Sequence, residues 1–277
     1  CPFFGQDKCG GCQWQHIEYD TQLELKADIL TDQLERIGDI EAPRVHRTVP
    51  DETGWTYRNH AQFHPAPGGG LGFQRASSGE GAADIIAIDY CMVLHPLLSE
   101  LYDAIDLDIE GLIRLVLRAG TVTGDRLIGF EMEEDKPPAL ESDEAVSCVM
   151  LLEEGGYANL IGNNFITEAA AEHTYRISAS SFFQVNTPIA ETMITYLLDN
   201  LDLSNQDRVL ELFAGVGLFS AFIAPEVSHL TAVESSGAAC HDFTINLGDS
   251  ENVVLYEGRA EDVLPTLNIE MNLLITD

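Results

Sequence analysis

The sequence predicts a mixed α/β fold whose C-terminal part is a doubly wound parallel sheet. Two observations predict it: helix-like and strand-like segments alternate after residue 185, and a glycine-rich turn joins one of those strands to the helix that follows. The 277 residues are 45% apolar, which is enough for a sizeable core in one large domain or two smaller ones. We find no apolar run of transmembrane length and no signal peptide, and therefore expect a cytoplasmic protein. We also expect a monomer.

The first predicted element is an amphipathic helix over residues 21–37. Thr21 and Glu24 form a capping-box pattern, and Gly38 is expected to end the helix. Its apolar residues keep helical spacing, at Leu23, Ala27, Leu30, Leu34 and Ile37.

Short strands and turns follow from Trp55 to about residue 160. The predicted hairpins pair residues 61–64 with 71–74, and residues 112–118 with 126–132. A strand over residues 85–88 and a helix beginning near His95 lie between them.

The C-terminal part alternates helices and strands. Helices are predicted over residues 188–201 and 238–247, with a further one ending near 224. Strands are predicted over residues 208–213, 230–233 and 253–256, and from residue 273. This alternation is typical of βαβ units.

The charge balance is strongly acidic. The chain has 46 Asp and Glu against 14 Lys and Arg, for a net charge of −32, and its lysines are Lys8, Lys26 and Lys136. Such a field repels polyanions, so composition alone argues against nucleic acid as a partner. Two explanations stay open: an ordinary acidic protein, or one adapted to high salt, which screens the self-repulsion.

Three of the six cysteines lie in the first 12 residues, at Cys1, Cys9 and Cys12. The spacing Cys9-Gly-Gly-Cys12 lets two thiolates face one metal, and Cys91 is the best candidate for a fourth ligand. Both zinc and an iron–sulfur cluster take four ligands, and the residues alone do not choose between them. Cys148 and Cys240 are expected to be packing residues.

The glycine turn Ala214-Gly-Val-Gly217 follows a strand, and Glu234 ends the next strand. This arrangement is typical of nucleotide-cofactor sites, where the backbone approaches the ligand and the acid binds the ribose. Ser220 replaces the third glycine of the dinucleotide fingerprint, which favours a ligand without phosphates, such as S-adenosylmethionine. A tight turn without a ligand is the alternative.

Four motifs, in order over nearly the whole chain, resemble the RumA/TrmA family of S-adenosylmethionine-dependent RNA (uracil-5-)-methyltransferases. They are Cys-x7-Cys-Gly-Gly-Cys-Gln-Trp-Gln-His, Tyr57-Arg-Asn with Ala61-Gln-Phe, Ser181-Phe-Phe-Gln-Val-Asn, and Leu210-Glu-Leu-Phe-Ala-Gly-Val-Gly. The spacing from Cys1 to Cys9 is two residues longer than is usual in the family, and Ala214 stands where the family usually has a cysteine.

The resemblance implies two domains. Residues 1–177 would form an α+β iron–sulfur central domain, its helix over about residues 21–37 packing on the second domain. Residues 178–277 would form a Rossmann-like class I methyltransferase domain, incomplete at its C-terminus. The implied ligands of a [4Fe–4S] cluster are Cys1, Cys9, Cys12 and Cys91. The expected cofactor-binding residues are Gln184, Phe213, Gly215, Gly217, Glu234 and Asp277.

The resemblance assigns no catalytic residue within the chain. The family's nucleophilic cysteine and general-base glutamate follow the acid matched by Asp277, so we expect a fragment that binds the cofactor weakly and transfers no methyl group alone. The implied substrate is a uridine in RNA, with 23S ribosomal RNA favoured over transfer RNA. A non-catalytic iron–sulfur RNA-binding protein and a small-molecule methyltransferase are the alternatives.

Overall fold

The structure is a computed structural model that describes residues 1–5, 7–76, 84–105, 109–134, 136–140, 145–152 and 156–276. The chain comprises two compact units. Unit 1 contains Cys1–Thr56 and His64–Val93, and unit 2 contains Tyr57–Phe63 and Leu94–Asp277. The predicted boundary at residues 177 and 178 lies inside unit 2, and the assignment of functional domains stays a prediction. Among the described helices, none is long and apolar enough to cross a membrane.

The secondary structure follows the predicted order. The helices are α1 (Tyr19–Arg36), α2 (Pro96–Ala104), α3 (Thr187–Asn200), α4 (Ser220–Ile223), α5 (Gly237–Asn246) and α6 (Ala260–Val263). The strands before α3 are β1 (His60–Pro65), β2 (Leu71–Gln74), β3 (Ile85–Ala87), β4 (Leu112–Ala119), β5 (Arg126–Met132), β6 (Ser147–Leu151), β7 (Tyr157–Ile161), β8 (Phe165–Ala170) and β9 (His173–Ser178). The strands after it are β10 (Arg208–Leu212), β11 (His229–Glu234), β12 (Val253–Glu257) and β13 (Leu273–Thr276).

In unit 1, α1 begins earlier than the capping pattern predicts. Its N-cap is Glu18, which makes no side-chain capping hydrogen bond. The N–H of Gln22 already donates to the carbonyl of Glu18 (3.0 Å), so Thr21 lies inside the helix and the predicted capping box is wrong. The predicted hairpin is confirmed: His64 and Pro65 pair with β2, and β2 pairs antiparallel with β3.

In unit 2, the strands β1, β4, β5, β6 and β7 lie side by side in that order. Residues His60 to Phe63 pair antiparallel with β4, which pairs antiparallel with β5, as predicted. The β5–β6 pair is parallel and the β6–β7 pair antiparallel. Cys148 is 2% exposed in the middle of β6, which confirms it as a packing residue.

One apolar core joins parts of unit 2 that the sequence assigned to different domains. Buried Leu127 and Val149 of the mixed sheet belong to the same cluster as Tyr175 of β9, Ile194 of α3 and Val216 of the glycine turn. Since residues on both sides of position 177 share this core, they belong to one compact unit.

The C-terminal sheet is fully parallel, with the strand order β12-β11-β10-β13. Its central strands are almost continuously buried: Val209, Leu210, Leu230 and Ala232 are each at most 1% exposed. Such strands are covered on both faces by helices or loops. The predicted alternation of helices and parallel strands is therefore confirmed, and the carboxyl ends of β10, β11 and β12 meet at one edge.

Candidate cofactor site

The chain leaves β10 through a strained turn. Phe213 has a φ of 61°, in the left-handed region that a bulky side chain rarely adopts, and the residue is 56% exposed. Gly215 (φ 56°) and Gly217 (φ 89°) continue the turn before α4. Backbone strain of this kind concentrates at functional sites, so Phe213 marks this turn as a candidate site.

Glu234 fixes the turn to the neighbouring strand. It is the last residue of β11, which runs parallel to β10 with Val233 opposite Leu212. One carboxylate oxygen, Oε2, accepts from the N–H of Gly215 (2.9 Å). The other, Oε1, accepts from the N–H groups of Ser235 and Ser236 (2.7 Å each). A carboxylate oxygen has two lone pairs, so Oε2 keeps capacity for one further donor.

A cavity of about 240 Å³ lies over this carboxylate. Its lining residues come from the ends of three parallel strands: Phe213, Val233, Glu234, Ser235, Gly258, Arg259, Ala260 and Glu261. Ligands of open α/β sheets bind at the carboxyl ends of the strands, which is where this cavity lies. The structure therefore brings predicted residues Phe213 and Glu234 to one cavity.

The two glycines of the turn have different roles. A Cβ on Gly215 would have no heavy atom within 4 Å, so the space above its backbone is open. A Cβ on Gly217 would come within 2.3 Å of Leu247 Cδ1 and 3.0 Å of Phe243 Cδ2 on the α5 side. Gly217 is thus required for helix packing, whereas Gly215 donates the N–H that anchors Glu234.

The structure also explains why Ser220 occupies the position of the third glycine. Its side chain is fully buried and its Oγ donates to Oε2 of Glu211 at 2.6 Å. Glu211 is itself only 2% exposed in β10. A buried carboxylate without such donors would cost several kcal/mol, so the serine stabilises the acid beneath the turn.

Sequence reasoning missed the residues that follow β12. Gly258, Arg259, Ala260 and Glu261 line the cavity, and the guanidinium of Arg259 pairs with the carboxylate of Glu261. The signal was present, because a third parallel strand ending at Glu257 places the next residues at the same edge. These residues could be assigned to the cavity only once the strand order was known.

Gln184 lies outside the lining of this cavity, in the segment Ser181 to Asn186 that leads into α3. Buried Asn59 holds the backbone of this segment: its N–H donates to the carbonyl of Val185 (2.9 Å) and its Nδ2 to that of Gln184 (3.0 Å). The buried Arg118 donates from Nη2 to the carbonyl of Ser181 (2.6 Å). Two separated motifs therefore form one hydrogen-bonded junction, which the sequence did not predict. Asp277 lies outside the described residues.

The four cysteines of the predicted cluster all belong to unit 1. Gly11 N–H donates to the Sγ of Cys9 (3.4 Å), and the neighbouring Cys12 contributes to a raised pKa of Cys9, whose main cause is burial. Across the part of the chain that the structure describes, no three His, Cys, Asp or Glu side chains gather in a group that could hold a metal ion. The pair Cys9 and Cys12 fits a metal site, but a complete set of four thiolates is not assembled.

Cys240 is a buried packing residue, as predicted. It is 4% exposed on α5, and its Sγ donates to the backbone carbonyl of Glu234 at 3.4 Å. Burial, followed by the charges of Glu257 and Glu234, raises the pKa of its thiol to about 11. The thiolate needed for nucleophilic chemistry is therefore suppressed at neutral pH.

Comparisons with known proteins indicate the family of this chain. The model of the family described as tRNA (uracil-5-)-methyltransferase matches residues 161–270. A Streptomyces avermitilis protein described as an uncharacterized RNA methyltransferase is 31% identical over 302 aligned residues, covering 100% of this chain and 66% of the relative. A Streptomyces coelicolor protein of the same description is also 31% identical, with 63% of its length covered. The chain belongs to the RumA/TrmA family of RNA methyltransferases.

This family member also has a structural neighbour. The crystal structure of Pyrococcus abyssi tRNA (uracil-54, C5)-methyltransferase in complex with S-adenosyl-L-homocysteine has a TM-score of 0.68 and 22% sequence identity, covering 90% of this chain and 66% of that one. The likeness confirms the α/β class I methyltransferase fold. The chain spans about two thirds of the length of the curated relatives.

Proposed function

We propose that this protein binds S-adenosylmethionine at the cavity over Glu234 and takes part in methylating C5 of a uridine in RNA. The observation that carries the proposal is the Glu234 carboxylate, held by the Gly215 N–H at the junction of two parallel strands and facing a cavity. Family membership supplies the reaction class, and the geometry supports the position of the cofactor.

Glu234 is proposed to bind the ribose hydroxyls through the remaining lone pair of Oε2. Because three backbone N–H groups already fix the carboxylate, it needs no rearrangement to accept a further hydrogen bond. The exposed ring of Phe213 gives the cavity an apolar wall. Gln184 and Asp277 are assigned to the site by the motif alone.

The proposed chemistry follows from the low nucleophilicity of uracil C5. A thiolate adds to C6, forming an S–C6 bond and moving an electron pair onto the carbonyl as an enolate. When bound, S-adenosylmethionine would supply an activated methyl group to C5 and would leave as S-adenosylhomocysteine, its S–CH3 bond being broken. A base then takes the C5 proton and the thiolate is eliminated. The thiolate and the base match no residue of this chain. Its own residues are proposed to bind and orient the cofactor.

The proposed RNA substrate presents a uridine outside a base stack, because C5 and C6 must both be reached. Ribosomal RNA is the substrate implied by the cysteine motif. Transfer RNA is a second candidate, which the family description and the name of the Pyrococcus abyssi neighbour favour.

We further propose a [4Fe–4S] cluster on Cys1, Cys9, Cys12 and Cys91. Two contacts within unit 1 support it besides the motif. The ring of Phe3 lies edge-on to that of Tyr90 (5.5 Å), which brings the start of the chain to the neighbour of Cys91. The N–H to sulfur hydrogen bond at Cys9 is a kind that tunes iron–sulfur clusters. No step of the reaction depends on this cluster.

Deletion of the gene in the organism of origin tests the proposed reaction. Mass spectrometry of ribosomal and transfer RNA should show the loss of one 5-methyluridine, restored by the wild-type gene and not by a gene carrying Glu234→Ala. Loss from ribosomal RNA would support the first substrate and loss from transfer RNA the second. An unchanged 5-methyluridine content in both RNAs would contradict the proposed function.

A further inference from the structure

The sheet formed by β1 and β4 in unit 2 has two chemically different faces. On one face, the alternating residues are apolar and at most 3% exposed: Ala61, Phe63, Leu115 and Leu117. On the other face, His60 lies opposite Arg118 in the register, and the guanidinium of Arg114 donates to the side chain of Gln62 (2.9 Å). This second face contains buried Val116, opposite Gln62, and is otherwise polar at these positions, with positive charge on Arg114 and Arg118.

Three guanidinium groups surround His60 on the polar face. Burial and then the charges of Arg118, Arg58 and Arg114 lower the pKa of His60 to about 3, so its imidazole is neutral at physiological pH. Arg114 is paired, since its Nε donates to Glu131 Oε2 at 2.6 Å. Among the described residues, Arg58 and Arg118 form no ion pair with a carboxylate.

Three buried nitrogens of Arg58, His60 and Arg118 form no hydrogen bond among the described residues. Nε of Arg58, Nε2 of His60 and Nε of Arg118 are shielded from solvent and have no hydrogen-bond partner within the described ranges. Arg118 is only 4% exposed, and burial lowers its pKa to about 10, so it stays charged at neutral pH. The charge of buried Asp242 favours the charged form of Arg118, but the orphaned nitrogens still cost free energy, and an anion at this position offsets that cost.

The position of Arg58, His60 and Arg118 in the fold indicates which kind of anion completes the site. Arg118 donates to the carbonyl of Ser181, at the start of the segment that holds Gln184, and the backbone of Arg58 forms a bridge with Asn186 at its end. The cations therefore lie against the segment that contains Gln184, which the motif assigns to the cofactor site, and in the proposed function the substrate RNA reaches that site. In a chain of net charge −32, Arg58 forms no ion pair with a carboxylate among the described residues, and it provides a local attraction that the overall charge does not.

We propose that Arg58, His60 and Arg118 bind a phosphodiester group of the substrate RNA. Partly exposed Arg58 makes the outer contact and Arg118 provides charge from beneath, while exposed Gln62 leaves the face open to solvent. Guanidinium groups suit this role, because their planar set of donors matches the oxygens of a phosphate. The inference rests on the proposed function and assigns it a phosphate contact.

The test measures how salt weakens RNA binding. A fluorescein-labelled oligouridylate of about 15 nucleotides is titrated by anisotropy at several KCl concentrations, with wild type, Arg58→Gln and Arg58→Lys. Each neutralised phosphate of a single strand contributes about 0.7 to the slope of log Kd against log salt. Arg58→Gln should therefore bind more weakly and reduce the slope by about 0.7, and Arg58→Lys should restore the slope.

Controls separate the possible failures. Arg36→Gln removes the same charge from exposed α1 and should leave the slope unchanged. Circular dichroism melts confirm that the variants fold. An equal slope for wild type and Arg58→Gln would overturn this inference alone, whereas an absence of oligouridylate binding by wild type would contradict RNA as the substrate. Weaker S-adenosylhomocysteine binding by Arg58→Gln, with RNA binding unchanged, would assign the arginines to the cofactor and also overturn the inference.

Discussion

Asn59 shows how a single buried side chain explains the joint occurrence of two motifs. Its amide donates to the carbonyl of Gln184 (3.0 Å) and to Thr187 Oγ1 (3.2 Å), and Thr187 in turn donates to the buried carboxylate of Glu168 (2.9 Å). The sequence showed Tyr57-Arg58-Asn59 as a motif but gave no partner for it. Contacts between residues more than 120 positions apart follow from tertiary structure and could not be predicted from local patterns.

His60 predicts a pH dependence of stability. Its folded pKa of about 3 lies below the ordinary value of 6.5, mainly through burial. As the pH falls below about 6.5, His60 therefore binds a proton in the unfolded chain but stays neutral in the folded chain. Stability is fully present above pH 6.5 and falls as the pH drops toward 3, by about 1 kcal/mol for each pH unit.

Urea unfolding of wild type and His60→Gln at pH 7 and pH 5 measures this effect. The free energy of unfolding of wild type should fall by about 1–2 kcal/mol more than that of the variant between these pH values. His46→Gln, at an exposed histidine, is the matched control and should follow wild type. Parallel losses in wild type and His60→Gln would show that His60 titrates normally.

The glycines of the turn predict a contrast between two conservative substitutions. Gly215→Ala should cost about 1–2 kcal/mol of stability, because an alanine is strained in the left-handed conformation of this position. Gly217→Ala introduces backbone strain of the same kind and also forces its Cβ against Leu247 and Phe243. Its loss of stability should therefore be about 1–3 kcal/mol larger. Urea unfolding compares them, and equal costs would show that Gly217 has no special packing role.

At the scale of elements, the sequence located most helices and strands, because apolar periodicity and turn residues are local signals, but it gave no bounds for β7, β8, β9 or α6. It misplaced the start of α1, where a capping-box pattern occurs inside a helix that Glu18 begins. It also missed the cavity residues 258–261, whose role depends on β12 lying beside β11. Strand order is a tertiary property, and for that reason only part of the site could be predicted.

The N-terminal segment gives a prediction about metal content. Protein purified without oxygen should be brown and should absorb broadly at about 400 nm. It should contain about four irons per chain if all four cysteines are ligands. Cys91→Ser should bleach it, whereas Cys148→Ser, which changes a buried strand cysteine, should keep the colour. A colourless protein with about one zinc per chain would reject the iron–sulfur proposal.

At the scale of the whole molecule, the net charge of −32 predicts a response to salt. If the acidity is an adaptation to high salt, screening between low and about 1 M KCl should relieve the repulsion among the carboxylates and raise the melting temperature. Differential scanning calorimetry across that range measures it. A flat or falling melting temperature would favour the ordinary acidic protein. Sucrose at equal osmolality controls for effects other than charge screening.

Glu234 is proposed to hold the ribose of the cofactor in the cavity at the ends of β10, β11 and β12. Isothermal titration of S-adenosylhomocysteine into wild type and Glu234→Ala tests it most directly, with Glu226→Ala, at an exposed acid beyond α4, as the matched control. Losing the ribose acceptor should cost on the order of 1–3 kcal/mol, so the Kd of Glu234→Ala should rise roughly tenfold or more while that of Glu226→Ala stays at the wild-type value. Equal affinities of wild type and Glu234→Ala would contradict the account, because the ribose would then be held elsewhere.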